Sequence, residues 1–112
     1  MKQDILEEAV EAAAALGRKV AVFAKNLREA EAIARRFELA APDGYISGIS
    51  RTAGRRRIDF HSGGSVRFIS LRQSARGLSV DRVLVPRDAP PETLAAIVPM
   101  TMTSEDGQIT GY

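Results

Sequence analysis

Apolar and polar positions follow two periods along this chain, and the period changes near the middle. Between residues 3 and 16, Ile5, Leu6, Ala9, Val10, Ala13 and Leu16 recur at helical spacing, and Gly17 follows as a stop. Lys19–Ala24 (KVAVFA) is a short apolar run of the kind found in strands buried on both faces. Asn26 then predicts an N-cap, with Glu29 three residues on as its capping-box partner. Ala30, Ile33, Ala34 and Phe37 form the buried stripe of a second helix, which ends before Pro42-Asp43-Gly44. Strand and helix in this order favour a parallel sheet.

From residue 57 the pattern alternates. Ile58 and Phe60 are interleaved with Arg57 and Asp59, and Val66 and Phe68 with Ser65 and Arg67. His61-Ser62-Gly63-Gly64 between them predicts a hairpin turn. Tyr45–Ser50 is a further strand candidate. Val80–Val85 is again β-branched and apolar, which places it centrally beside Lys19–Ala24. Pro90 and Pro91 suit the first turn of a helix over Glu92–Val98, and Pro99 ends it. Met100–Thr103 and Gln108–Thr110 are short β candidates around Asp106-Gly107. The expectation is an α/β fold in a single domain over residues 1–112: a mainly parallel sheet flanked by helices, with a β-hairpin.

Composition narrows the chemistry. A chain of 112 residues, 45% of them hydrophobic, fits one domain with a real core. There is no cysteine, so disulfides and thiolate metal sites are excluded, and His61 is the single histidine. No apolar run approaches the roughly 18 residues that span a bilayer. Asp4, Glu7, Glu8 and Glu11 make the N-terminus unlike a secretory signal, so a cytoplasmic location with no membrane partner is expected. Those glutamates form a solvated helix face, and His61 a surface turn residue. No cofactor and no metal site is expected.

The net charge of +2 hides an uneven layout. Residues 1–50 carry seven basic and eight acidic side chains; residues 51–88 carry nine arginines against Asp59, Asp81 and Asp88; residues 89–112 carry only Glu92, Glu105 and Asp106. An all-arginine block suits phosphate, because the guanidinium fork matches its oxygens. Arg51, Arg55, Arg56 and Arg57 are its densest part. Alternation puts Arg55 and Arg57 opposite Ile58. The competing reading is a solvated strand face whose arginines guard a sheet edge against aggregation.

Gly64 to Ala89, GSVRFISLRQSARGLSVDRVLVPRDA, resembles the segment leading into the Walker B strand of phage terminase large subunits, where a "GS-x-I-x-F-x-S" strand leads to an S-x-R-G loop and then an apolar strand ending Asp-Glu-Ala. Arg18–Ala24 and Asn26–Phe37 resemble the strand and helix that follow the first helix in that family. The tail from Pro99 to Tyr112 resembles the coupling-motif strand, with its "T-x-x-G-x-I" pattern. The resemblance implies a half core like that of RecA and other P-loop NTPases. It also implies that Arg72, Ser74, Arg76 and Gly77 lie in a loop at the nucleotide-facing strand ends, as candidate phosphate or nucleic-acid contacts.

The departures from that family are chemical. The phosphate-binding loop G-x-x-x-x-G-K-[ST] surrounds phosphates with backbone N–H groups, and this sequence has no such string; the resemblance begins at the helix that follows it. If Ala89 matches the family alanine, Pro86, Arg87 and Asp88 form a degenerate Walker B end, with a cation where the magnesium-binding aspartate belongs. The carboxylate cluster of the terminase nuclease is also missing. The resemblance therefore implies a non-catalytic, terminase-like accessory protein of phage or prophage origin in the host bacterial cytoplasm. It would bind a protein partner, whether a terminase or a second copy of itself, or double-stranded DNA. A small DNA-binding module using the arginine-rich face is one alternative. An ATPase fragment that is active only when a partner supplies the P-loop is the other.

Overall fold

The computed structural model describes residues 1–52, 54–72, 78–102, 104 and 107–112. Helix α1 (Gln3–Ala14) buries Leu6, Ala9, Val10 and Ala13, with Ile5 packed at the margin. It closes through Gly17, whose φ of +69° only glycine adopts cheaply, while the Arg18 N–H reaches back to the Ala12 carbonyl at 3.0 Å. That turn swings Leu16 into solvent, so the expected stripe ends one residue pair early. Strand β1 (Lys19–Ala24) is buried from Val20 onward. Helix α2 (Leu27–Ala40) starts as expected at Asn26, whose Oδ1 accepts the Glu29 N–H at 2.8 Å. The Glu29 carboxylate turns instead toward the Tyr112 hydroxyl, 3.4 Å away.

A short 3-10 turn at Asp43–Tyr45 precedes β2 (Ile46–Ser50), then β3 (Arg57–Phe60) and β4 (Ser65–Ser70). The turn between β3 and β4 is pinned to the first helix. Ser62 Oγ donates to the Ala13 carbonyl at 2.7 Å and accepts the Gly64 N–H at 3.1 Å. Strand β5 (Arg82–Val85), α3 (Pro91–Ile97) and β6 (Gln108–Gly111) complete the chain. The expected strand at Met100–Thr103 is not formed: Val98–Thr101 is a 3-10 turn with Pro99 in its first positions, and Met100 is buried in the core. A proline there loses no hydrogen bond but favours a helical start over an extended one. Thr103 lies outside the described residues.

The sheet is mixed, with order β2-β3-β4-β1-β5-β6. β1 pairs in parallel with β4 and β5, and β5 with β6; β2/β3 and β3/β4 are antiparallel. "Mainly parallel" thus gives way to a parallel half joined to an antiparallel one, because short turns connect only antiparallel neighbours. Helices α1 and α2 cover the face of Val20, Val22, Ile58, Val66 and Phe68, where the Phe37 and Phe68 rings meet edge-on at 5.1 Å. On the other face Ala21, Phe23, Val83 and Val85 pack against Val80, Ile97 and Met100. At the start of β5, Asp81 accepts the Lys19 N–H at 2.8 Å and the Ser104 hydroxyl at 2.7 Å. Burial alone would raise its pKa, but these donors hold it below the ordinary value. Among the described residues no helix is long and apolar enough to cross a membrane.

Two glycines separate steric need from mere presence. A Cβ at Gly64 would run into the Ala13 carbonyl, whereas at Gly48 it would meet nothing within 4 Å. Gly64→Ala is expected to lower unfolding free energy by about 1–3 kcal/mol, while Gly48→Ala stays within about 0.5 kcal/mol of the parent. Urea denaturation of both variants checks the contrast.

Candidate functional site

The chain leaves β1 through α2, over one face and toward β4; it leaves β5 through α3, over the other face and toward β6. Opposite departures from adjacent parallel strands mark a topological switch point at their carboxyl ends, the position where doubly wound sheets hold ligands. Lys25 follows β1 there, and Pro86, Arg87 and Asp88 follow β5. Lys25 Nζ lies 3.0 Å from Asp88 Oδ2, and both side chains are exposed. The hydrogen bond and attraction to Asp88 raise the Lys25 pKa. The same hydrogen bond lowers that of Asp88.

Pro86 is buried, while Arg87 is exposed. Its backbone N–H donates to the Tyr112 carbonyl at 2.9 Å, and its Nε to the Gly111 carbonyl at 3.4 Å. Asp88 is therefore matched to a lysine and flanked by an arginine, and Glu29 is the second carboxylate near these strand ends, so the charges there are close to balanced. Among the described residues no group of three or more His, Asp or Glu side chains is placed to hold a metal.

Tyr112 spans these strand ends. Its hydroxyl donates to the Phe23 carbonyl and lies 3.4 Å from Glu29 Oε1, so the last residue of β6's run is tied across β5 to β1. Burial, reinforced by the nearby Glu29 carboxylate, pushes the phenol pKa well above its ordinary value. At the end of β4, Arg72 donates its backbone N–H to Ser70 Oγ at 3.2 Å. Ser74, Arg76 and Gly77 lie outside the described residues.

The arginine block does not act as one surface. Arg56 faces inward with Ile58 and is only 5% exposed. Its Nε lies 2.8 Å from Glu31 Oε2 and its Nη1 3.5 Å from Glu38 Oε1. Strand alternation turns this residue toward α2, where glutamates at i and i+7 receive it, so it is a clasp between helix and strand and not a free phosphate contact. Arg51 shares the clasp, with Nε 3.4 Å from Glu38 Oε1, though most of its side chain is solvated. Arg57 Nε pairs with Asp59 at 2.7 Å, and Arg55 is exposed. The edge-guard reading loses its place as well, since β3 is an inner strand. The edge strand β2 instead carries a register shift between Ile46 and Gly48, itself a device that discourages edge pairing.

Sequence reasoning missed Lys25, Tyr112 and the two clasp glutamates, because each matters only through a residue distant in the chain. Arg67 was missed as well: counting outward from a four-residue turn at His61–Gly64 sets Arg57 opposite Phe68, whereas Phe60 pairs with Gly64 and so Arg57 with Arg67. What the structure establishes is an α/β protein with a mixed six-stranded sheet between helices. Comparison with family models, with curated proteins and with solved structures finds no match for this chain.

Ultraviolet titration should show one phenol that ionises only well above pH 10, and Tyr112→Phe should remove that late step. A raised acid pKa means that the folded state keeps its proton longer, so this contribution to stability holds below about pH 10 and fades above it. Arg56→Met should cost about 2 kcal/mol, less than a fully buried pair because both glutamates keep some solvent. Thermal unfolding at neutral pH measures it.

Proposed function

We propose that this chain is a non-catalytic, terminase-like accessory protein of phage or prophage origin, acting in the host bacterial cytoplasm by accepting a β-strand from a partner protein. The observation that carries this reading is the outer edge of β6, where among the described residues only the Gly111 carbonyl is met, by Arg87 Nε at 3.4 Å. Gln108 donates its N–H to the Asp81 carbonyl and Tyr112 to the Val85 carbonyl, so by alternation Ile109 and Gly111 direct their N–H groups away from β5. Its sequence, Gln-Ile-Thr-Gly, carries no charge and no proline, and its pairing with β5 has no bulge. Edges are normally blunted by such devices.

The surroundings suit an added strand. Ile109 shares the face of Val83, and near it Leu94, Val98 and Met102 of the α3 region are exposed. On the opposite face a groove beside α1 is lined by Ile5, Ala9 and Leu84 together with the polar Glu8, Arg82, Gln108 and Thr110. Main-chain hydrogen bonds would supply affinity and these flanks specificity. In this reading the parallel half of the sheet corresponds to half of a P-loop NTPase core. Arg87 and the Lys25–Asp88 pair, where the family's acidic couple would hold magnesium, support binding without ATP hydrolysis.

Size-exclusion chromatography with light scattering tests the open edge. Association should grow with concentration and disappear in Ile109→Lys, with circular dichroism unchanged. A strict monomer at millimolar concentration overturns the edge reading. Magnesium-dependent ATP hydrolysis by purified protein, abolished by Asp88→Ala, would overturn the non-catalytic one.

A further inference from the structure

The described residues cover the face of the sheet opposite α1 and α2 only in part. Its apolar cluster draws on β1, β5 and the end of β4, and takes nothing from β2 or β3. Over β3 and β4 that face is set by strand alternation. Arg56, Ile58 and Phe60 are buried toward the helices, so Arg55, Arg57 and Asp59 point the other way. Arg57 and Arg67 are direct cross-strand partners and therefore share this face.

Like charges placed opposite each other destabilise an antiparallel pair. Asp59 relieves one of them, with its Oδ1 2.7 Å from Arg57 Nε. That contact engages Nε of Arg57. Arg67 is exposed and makes no ion pair among the described residues. The ladder continues past β3, since the Phe68 N–H donates to the Arg56 carbonyl at 3.1 Å, so Arg55 extends the same row. Residues two apart on a strand are separated by about 6.8 Å, a spacing that suits neighbouring phosphates of one nucleic-acid strand. Beside this row Gly48 of β2 has no side chain, and the space over it is open.

We propose that Arg55, Arg57 and Arg67 bind the sugar-phosphate backbone of duplex DNA across the face of β3 and β4 opposite α1 and α2. Guanidinium groups suit phosphate oxygens in pairs. The face carries no exposed aromatic ring on β3 or β4, so base stacking, which single-strand binders use, has no platform here. Backbone contacts alone make the binding independent of sequence and dependent on salt. This surface lies away from β6 and does not rest on the strand-accepting reading.

Fluorescence anisotropy with a labelled duplex tests the assignment in the full chain. Three phosphate contacts give a slope of about −2.7 for log affinity against log salt. Arg67→Gln should weaken binding at low salt and flatten that slope by about one. Arg35→Gln, the same charge change on the exposed side of α2, should leave both unchanged. Three results would each sink the proposal: no binding at low salt, equal losses from Arg35→Gln and Arg67→Gln, or a single strand of equal length binding as tightly as the duplex.

Discussion

Val20 to Ala24 form a stretch of backbone with no wet side, and the rest of the molecule is arranged to keep it dry. Even-numbered residues of this strand serve the cluster under α1 and α2, while Ala21 and Phe23 serve the cluster under α3. Parallel neighbours on both sides take up its backbone hydrogen bonds. A strand with two buried faces tolerates no slip, because a shift of one residue would exchange the side chains of the two clusters. Small residues alternate with large ones along it, so the layers above and below can approach to different depths.

From that constraint the carboxyl rim follows. Helices must lie on both faces, so the chain departs in opposite senses after β1 and β5, and the departures leave Lys25, Arg87, Asp88 and the Tyr112 hydroxyl at the same strand ends. The rim is polar by necessity, since the strand ends expose backbone groups. Its charge is close to balanced, with Lys25 and Arg87 set against Asp88 and Glu29. The charge in the middle of the chain is distributed by the same logic: inward positions of β3 must meet partners, and Arg56 meets Glu31 and Glu38, while outward positions keep their charge for solvent or a polyanion.

Much of the fold was legible because its signals are local. Periodicity located both long helices and the central strands, Asn26 announced its cap, and the Ser-Gly-Gly turn announced the hairpin, though not its register. The mixed character of the sheet was half legible, since the hairpin was expected but β2 as its third antiparallel strand was uncertain. Met100 was misread because an apolar residue next to threonines fits a strand and a 3-10 turn equally well, and only packing under Ile97 decides. The arginine run was readable as charge and not as surface: whether a guanidinium is spent on a glutamate of another element depends on tertiary contacts that composition does not carry. The Lys25–Asp88 pair was hidden for the same reason.

The division of apolar side chains has a kinetic meaning. Apart from Leu84 and the packed margin of Tyr112, the cluster under α1 and α2 is drawn from residues before position 70. Its partner on the other face cannot assemble until β5 finds β1, a contact such as Asp81 to the Lys19 amide that spans 62 positions. Loop closure of that length slows folding. The first seventy residues therefore hold an apolar centre of their own, and β5, α3 and β6 dock onto it as a second cooperative unit. Native-state amide exchange would register that unit as the part of the molecule that opens first while the centre stays closed.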